Sequence, residues 1–233
     1  MNNGGRDATL VGMITQAKAN ALLSGSTTSN VPEGTNLYFT ATRARSVISA
    51  DYPIMYDQST GVIDLDTMWD DMKAPASAIN PAGSLAPPTV DNSDGSLVFA
   101  KGKIVSLWLQ LPHAWKEGTE LRPHLHWTKT TTGVGLPNWQ MKYNWANAGD
   151  VLPAFSSLVS GTEGITNNNI VNKHSLFKFP PLDATGKLIS SMLCVVLQRT
   201  NDANDTYADS AKLLEFDIHY QIDSTGSRQE YIK

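Results

Sequence analysis

Residues 212–222 read KLLEFDIHYQI. Apolar and polar side chains alternate along it, and a period of two is the mark of a strand with one covered face. The pattern sets Leu213, Glu215, Asp217 and His219 against Leu214, Phe216, Ile218 and Tyr220. Upstream, Met192 to Leu197 is a short, unbroken apolar run that reads as a strand covered on both faces. Working outward, the same texture extends back to Ser96. Strands are expected at Ser96–Ala100, Ile104–Leu111, Leu121–Lys129, Asn138–Ala146, Phe155–Ser160, His174–Phe179, Leu188–Arg199 and Lys212–Ile222. Turn signals such as Lys101-Gly102, Glu117-Gly118, Thr132-Gly133, Asn147-Ala148-Gly149 and Thr185-Gly186 separate them. Strand after strand without helices argues for an antiparallel β-sandwich, and about eight of them for a jelly-roll-like one. The fold class is therefore mainly β, with a small α+β region at the N-terminal side.

That region is 31–66, VPEGTNLYFTATRARSVISADYPIMYDQSTGVIDLD. Pro32-Glu33-Gly34 is a turn, and Leu37-Tyr38-Phe39 a short apolar run. Thr40 is placed to cap a helix over Ala41–Ala50, whose stripe is Ala44, Val47 and Ile48. Tyr52-Pro53 stops it. Ile54–Tyr56 and Val62–Leu65 form a hairpin around Asp57–Gly61. About 35 residues are too few to bury an apolar face unaided. Before this stretch, Ala8–Leu23 carries Leu10, Met13, Ile14, Ala17, Ala21 and Leu22 at helical spacing. A free helix of that length is marginal in water, so the stripe docks on another chain or folds back on its own domain. The surfaces expected to attach or oligomerise are Leu10, Met13, Ile14, Ala17, Leu37, Tyr38, Phe39, Val47 and Ile48. After the module, Thr67–Met72 reads as a short turn or helix. Residues 74–95, rich in proline and alanine, read as a connector that either spans to the next domain or wraps over it. The expected divisions are thus 1–30, 31–73, 74–95 and 96–233.

The chain has 233 residues, 17% of them charged, with a net charge of −4. Neither value suits broad electrostatic binding of nucleic acid. Its one cysteine, Cys194, lies in an apolar run and cannot make a disulfide within the chain. No apolar run approaches the length that spans a bilayer, and the opening MNNGGRDATL lacks a signal-peptide pattern.

Two resemblances add an expectation that composition does not supply. VPEGTNLYFT-x-x-R-x-R followed by DYPIMYD-x-STGVI resembles a module of tail-fibre and related virion proteins of tailed bacteriophages. AINPAG, QLPHAWKEGTELRPHLHW, YNWANAGDV and FDIHYQIDSTGSRQEY resemble a domain of many uncharacterised phage structural proteins, over roughly residues 70–231. The resemblance implies a non-enzymatic virion protein, a fibre, decoration or adaptor component, assembled in the host cytoplasm. It implies a homotrimer joined to capsid, neck or tail proteins, with the sandwich projecting outward. A receptor-binding role toward a host surface glycan is the alternative.

His124-Leu125-His126 is the sharpest chemical signal. Both imidazoles share one strand face, and His219 sits on a later strand, with His113 nearby in sequence. Two histidines at that spacing plus a third resemble the metal site of a cupin, and His-x-His repeats bind iron on the axis of some trimeric phage spikes. The cupin glutamate is missing, since Trp127-Thr128-Lys129-Thr130 follow, and so is its glycine framing. Ordinary hydrogen-bonded strand histidines are the leading reading, an axial transition metal held by three chains the second, and a cupin-type enzyme with its metal on His124, His126 and His219 the last. Asn201–Asp205 hints at a calcium loop, but Tyr207 and Leu213 occupy the glycine and glutamate positions, leaving a polar hairpin. Asp64, Asp66, Asp70 and Asp71 read as a solvated acidic face. Of the six tryptophans, most are expected in the core and a subset on a sugar-binding surface.

Overall fold

The strand 211–222 is the axle of the structure, a computed structural model that describes residues 16–21, 24, 33–35, 37–79 and 86–233. The chain divides into two units, Met1–Asp64 and Leu65–Lys233. In the second, the larger antiparallel sheet runs in the order β10 (Thr162–Ile165), β11 (Ser175–Lys178), β7 (Arg122–Lys129), β13 (Ala211–Ile222), β5 (Leu97–Phe99) and β4 (Thr89–Val90). β3 (Met68–Pro75) also pairs with β13. The smaller sheet runs β6 (Ile104–Gln110), β12 (Met192–Arg199), β8 (Trp139–Ala146) and β9 (Val159–Ser160).

The two sheets share one core. Leu125, Trp127, Phe177, Phe216 and Ile218 come from the larger, Val105, Trp139, Met141, Leu193, Val195 and Leu197 from the smaller. Phe99 and Trp139 meet edge to face across it with centroids 5.0 Å apart. The expected antiparallel β-sandwich is what forms, and Trp115, Trp127, Trp139 and Trp145 all lie in its core.

At its full length β13 spans about 40 Å, enough for two partners end to end on one side. Ala211–Leu213 takes β5 and Glu215–Ile222 takes β3, while β7 lines the other side. Against β7, Leu213 stands opposite Trp127 and Glu215 opposite His126, so Leu214 is an extra residue. This bulge corrects the simple alternation. Leu213 turns to the core with Phe216, Ile218 and Tyr220 rather than outward with Glu215 and Asp217.

Other boundaries shift for physical reasons. The expected strand from Leu188 begins at Met192, because Ser190 adopts φ 60° and breaks the extended path. Phe155–Ser160 shrinks to β9. β3, β4 and β10 have no counterpart among the expected strands. Instead of a module ending at 73 and a connector over 74–95, the sandwich unit begins at Leu65. Ala74, Ala76 and Ile79 are buried in its core, and Thr89–Val90 pairs with β5.

In the first unit, α1 (Ala41–Ser46) is capped by Thr40, whose hydroxyl accepts the Arg43 N–H at 3.1 Å. Arg43 forms a two-pronged pair with Glu33, and Glu33 also accepts the Tyr38 N–H at 3.0 Å. Arg45 donates to the Ser59 carbonyl in the turn between β1 (Ile54–Asp57) and β2 (Val62–Leu65). Asp57 shapes that turn by accepting from the Ser59 amide and the Ser59 and Thr60 hydroxyls, which pull its pKa down to about 2. The expected helix over Ala41–Ala50 ends at Ser46. Beyond it two β-branched residues, Val47 and Ile48, are exposed and give the helix no packing to hold it. Of the Ala8–Leu23 stripe, residues 16–21 are helical with Ala17 exposed, whereas Leu10, Met13, Ile14 and Leu22 lie outside the described residues. Among the described residues no helix is long and apolar enough to cross a membrane.

Candidate functional site

The outer face of the larger sheet collects histidines and carboxylates. Pairing places Asp217 opposite His124 and Glu215 opposite His126 on β13 and β7. On the far side of β7, Lys178 stands opposite His124. On the far side of β13, Asp71 stands opposite His219 and Lys73 opposite Asp217. Directly opposed residues share a face. Since Leu125, Trp127, Phe216 and Ile218 fill the core side, these polar groups all point away from it.

Asp217 sits between two imidazoles. His124 Nε2 lies 2.6 Å from its Oδ1 and His126 Nε2 lies 3.1 Å from its Oδ2. The approach of His124 is close but off the axis of a straight N–H···O bond, so Oδ1 has no aligned donor. His126 turns its Nδ1 to His174 Nε2 at 2.6 Å. His219 stands edge-on to His124 with centroids 4.3 Å apart, and its Nε2 is 3.0 Å from Asp71 Oδ1. A continuous row results: Asp71, His219, His124, Asp217, His126, His174.

Burial sets the electrostatics of this row. His124 and Asp217 are only 5% and 3% exposed. For Asp217, burial favours the neutral acid, but the imidazoles of His124 and His126 outweigh it and hold the pKa down at about 2. For His124, burial opposes the charged ring, and Asp217 outweighs it, so its pKa is raised. Beside the row opens a cleft of about 420 Å³. Its walls include His124, His219, Arg122 and Lys178, with Leu176, Phe179 and Pro181. All four of those polar walls are basic side chains, so the cleft suits water or an anion.

The structure brings His124 and His126 to one carboxylate and His219 to another. The atoms that converge belong to His124, His126 and Asp217, while His219 is held by Asp71. Asp217 and His174 are not singled out by the sequence pattern. The alternation of β13 already set Asp217 beside His219 on one face, but the β7–β13 pairing that brings it to His124 is not visible in sequence. His113 stands apart, bonded to Ser190 and Ser227. In the 201–205 loop, Asp205 is committed to Arg199 through two bonds of 2.7 and 2.9 Å, which removes the anchor of a calcium site. Asp70 accepts the Tyr220 hydroxyl at 2.9 Å.

Of the expected attachment residues, Leu37, Phe39, Val47 and Ile48 are exposed and Tyr38 is half-buried. No family model and no curated protein matches the chain. Among solved structures it is similar to dimeric latent PorU from Porphyromonas gingivalis, at 13% identity and a TM-score of 0.34. The match covers 68% of this chain and 13% of that one, and a score that low does not establish a shared fold.

Proposed function

We propose that this chain is a non-enzymatic assembly protein of a tailed-phage particle, homotrimeric, with its first unit joining the copies to one another and to neighbouring virion proteins. The observation that supports this reading is the surface of that unit. No described residue in 16–64 is buried. Phe39 is 86% exposed, Val47 83%, Ile63 66% and Leu37 64%. Covering such side chains is worth about 1.5–3 kcal/mol each, and a unit this small has no interior of its own in which to do it. Sister copies offer matching surfaces with no new sequence. The virion assignment rests on the likeness of 31–66 to fibre modules. Native mass spectrometry of the full chain tests the reading. A trimer is expected, and a chain that stays monomeric at every concentration overturns it.

A second reading has one observation in its favour. Trp108, on the edge strand β6, is 51% exposed. It lines a groove of about 340 Å³ with Lys73, Pro75 and Ile79. An open indole beside a groove fits stacking on a sugar ring. Trp69, the other exposed tryptophan, is covered on one face by Arg122 at 4.6 Å. Glycan binding that Trp108→Ala abolishes would support a receptor-binding role, and no binding to any host surface glycan would remove it.

A further inference from the structure

We propose that His124, His126 and Asp217 form a mononuclear site for a divalent transition-metal ion of the zinc type, built within one chain on the outer face of the larger sheet. This goes beyond the assembly role and does not depend on it.

Two imidazole nitrogens and a carboxylate oxygen come from adjacent strands, and all lie within 4.8 Å of one another. Zinc with bonds of about 2.0–2.1 Å holds its ligands about 3.4 Å apart, so side-chain rotations alone bring these atoms to bonding distance. The donors are imidazole-rich and lack a thiolate, which favours zinc, cobalt or nickel over calcium or magnesium.

The state of Asp217 points the same way. It is a buried carboxylate, and one of its oxygens has no aligned donor. A buried anion calls for a cation. Lys73, directly across the strand, turns instead to Asp71 at 3.7 Å. Among the described residues the ion-pair partners of Asp217 are the two imidazoles and nothing else. Two arrangements satisfy such a group: both rings carry a proton toward it, or both present bare nitrogens and a metal ion takes the protons' place.

The surroundings supply what the second arrangement needs. His174 engages the far nitrogen of His126 at 2.6 Å, the kind of outer contact that fixes ring orientation in metal sites. Glu215, across from His126, is not among the converging donors. The cleft bordered by His124 gives water a route to a fourth position. Because every donor comes from one chain, the site requires no trimer axis.

The full chain, stripped with a chelator, is titrated with Co2+ and followed by visible absorption and equilibrium dialysis. One ion per chain is expected, with ligand-field bands of low coordination number that Zn2+ abolishes. Asp217→Asn and His126→Gln, two independent tests should either variant fold poorly, each weaken binding at least ~10-fold, and His174→Gln weakens it ~10–100-fold. His219→Gln binds as the parent does. The proposal falls if uptake does not saturate, or if the parent, Asp217→Asn and His126→Gln take up metal alike. It falls equally if His219→Gln loses as much as Asp217→Asn, since the ligand set would then be wrong.

Discussion

Arg199 is wholly buried, and each of its five N–H groups has an acceptor. Two go to the Asp205 carboxylate, and the others to the carbonyls of Phe99, Asp209 and Tyr207. The guanidinium thereby ties β5 and the 201–209 loop to the end of β12. Its removal leaves Asp205 buried with Lys101 at 3.5 Å as its remaining ion partner. Arg199→Met is expected to cost about 3–5 kcal/mol, measured by urea unfolding. Glu163 is the opposite case. Both its oxygens lack a hydrogen-bond partner, and burial, only partly offset by Lys129, pushes its pKa up from 4.5 to about 7. The folded chain then holds a proton that the unfolded chain has released. Stability contributed by the neutral acid is full below pH 4.5 and is lost as pH rises toward 7. Glu163→Gln should match the parent near pH 4 and exceed it by about 3 kcal/mol near pH 8, by thermal unfolding at both values.

At the scale of elements, β3 is the instructive strand. MWDDMKAP carries two adjacent aspartates and ends in proline, so no clean alternation announces it. It is an edge strand with one partner and half-buried faces, and that is why its pattern is weak. Its contribution is nonetheless tertiary: Ala74 enters the core, and Asp70 and Asp71 anchor Tyr220 and His219. A chain that starts at Leu65 is expected to fold with a thermal midpoint close to that of the full protein. One that starts at Ser96 loses β3 and β4, exposes the side of β13, and should melt much lower or aggregate. Equal melting of the two would show that β3 is dispensable.

For the whole molecule, the contrast between units matters most. The sandwich has a continuous core, and the first unit has capped, clamped local structure in which none of the described residues is buried. Such a unit is shaped by Thr40, Glu33, Arg43 and Arg45 before anything packs on it. Replacing Phe39 and Val47 together by aspartate should leave the sandwich's melting unchanged and shift the mass in solution from the proposed trimer toward monomer, as read by sedimentation. An unchanged trimer would place the interface elsewhere.

What the sequence determined by itself is whatever depends on near neighbours. The period of two in 212–222, the cap at Thr40, the Asp57 turn and the shared face of His124 and His126 all follow from residues within a few positions of each other. Tertiary structure alone decided the bulge at Leu214, the recruitment of β3, and the partner of the histidine pair. His126 and Asp217 are 91 residues apart in the chain. Whether they meet depends on which strands pair and in what register, and a shift of one residue would turn Asp217 into the core. Local alternation fixes which way a side chain faces, whereas only the packed sheet fixes what it faces.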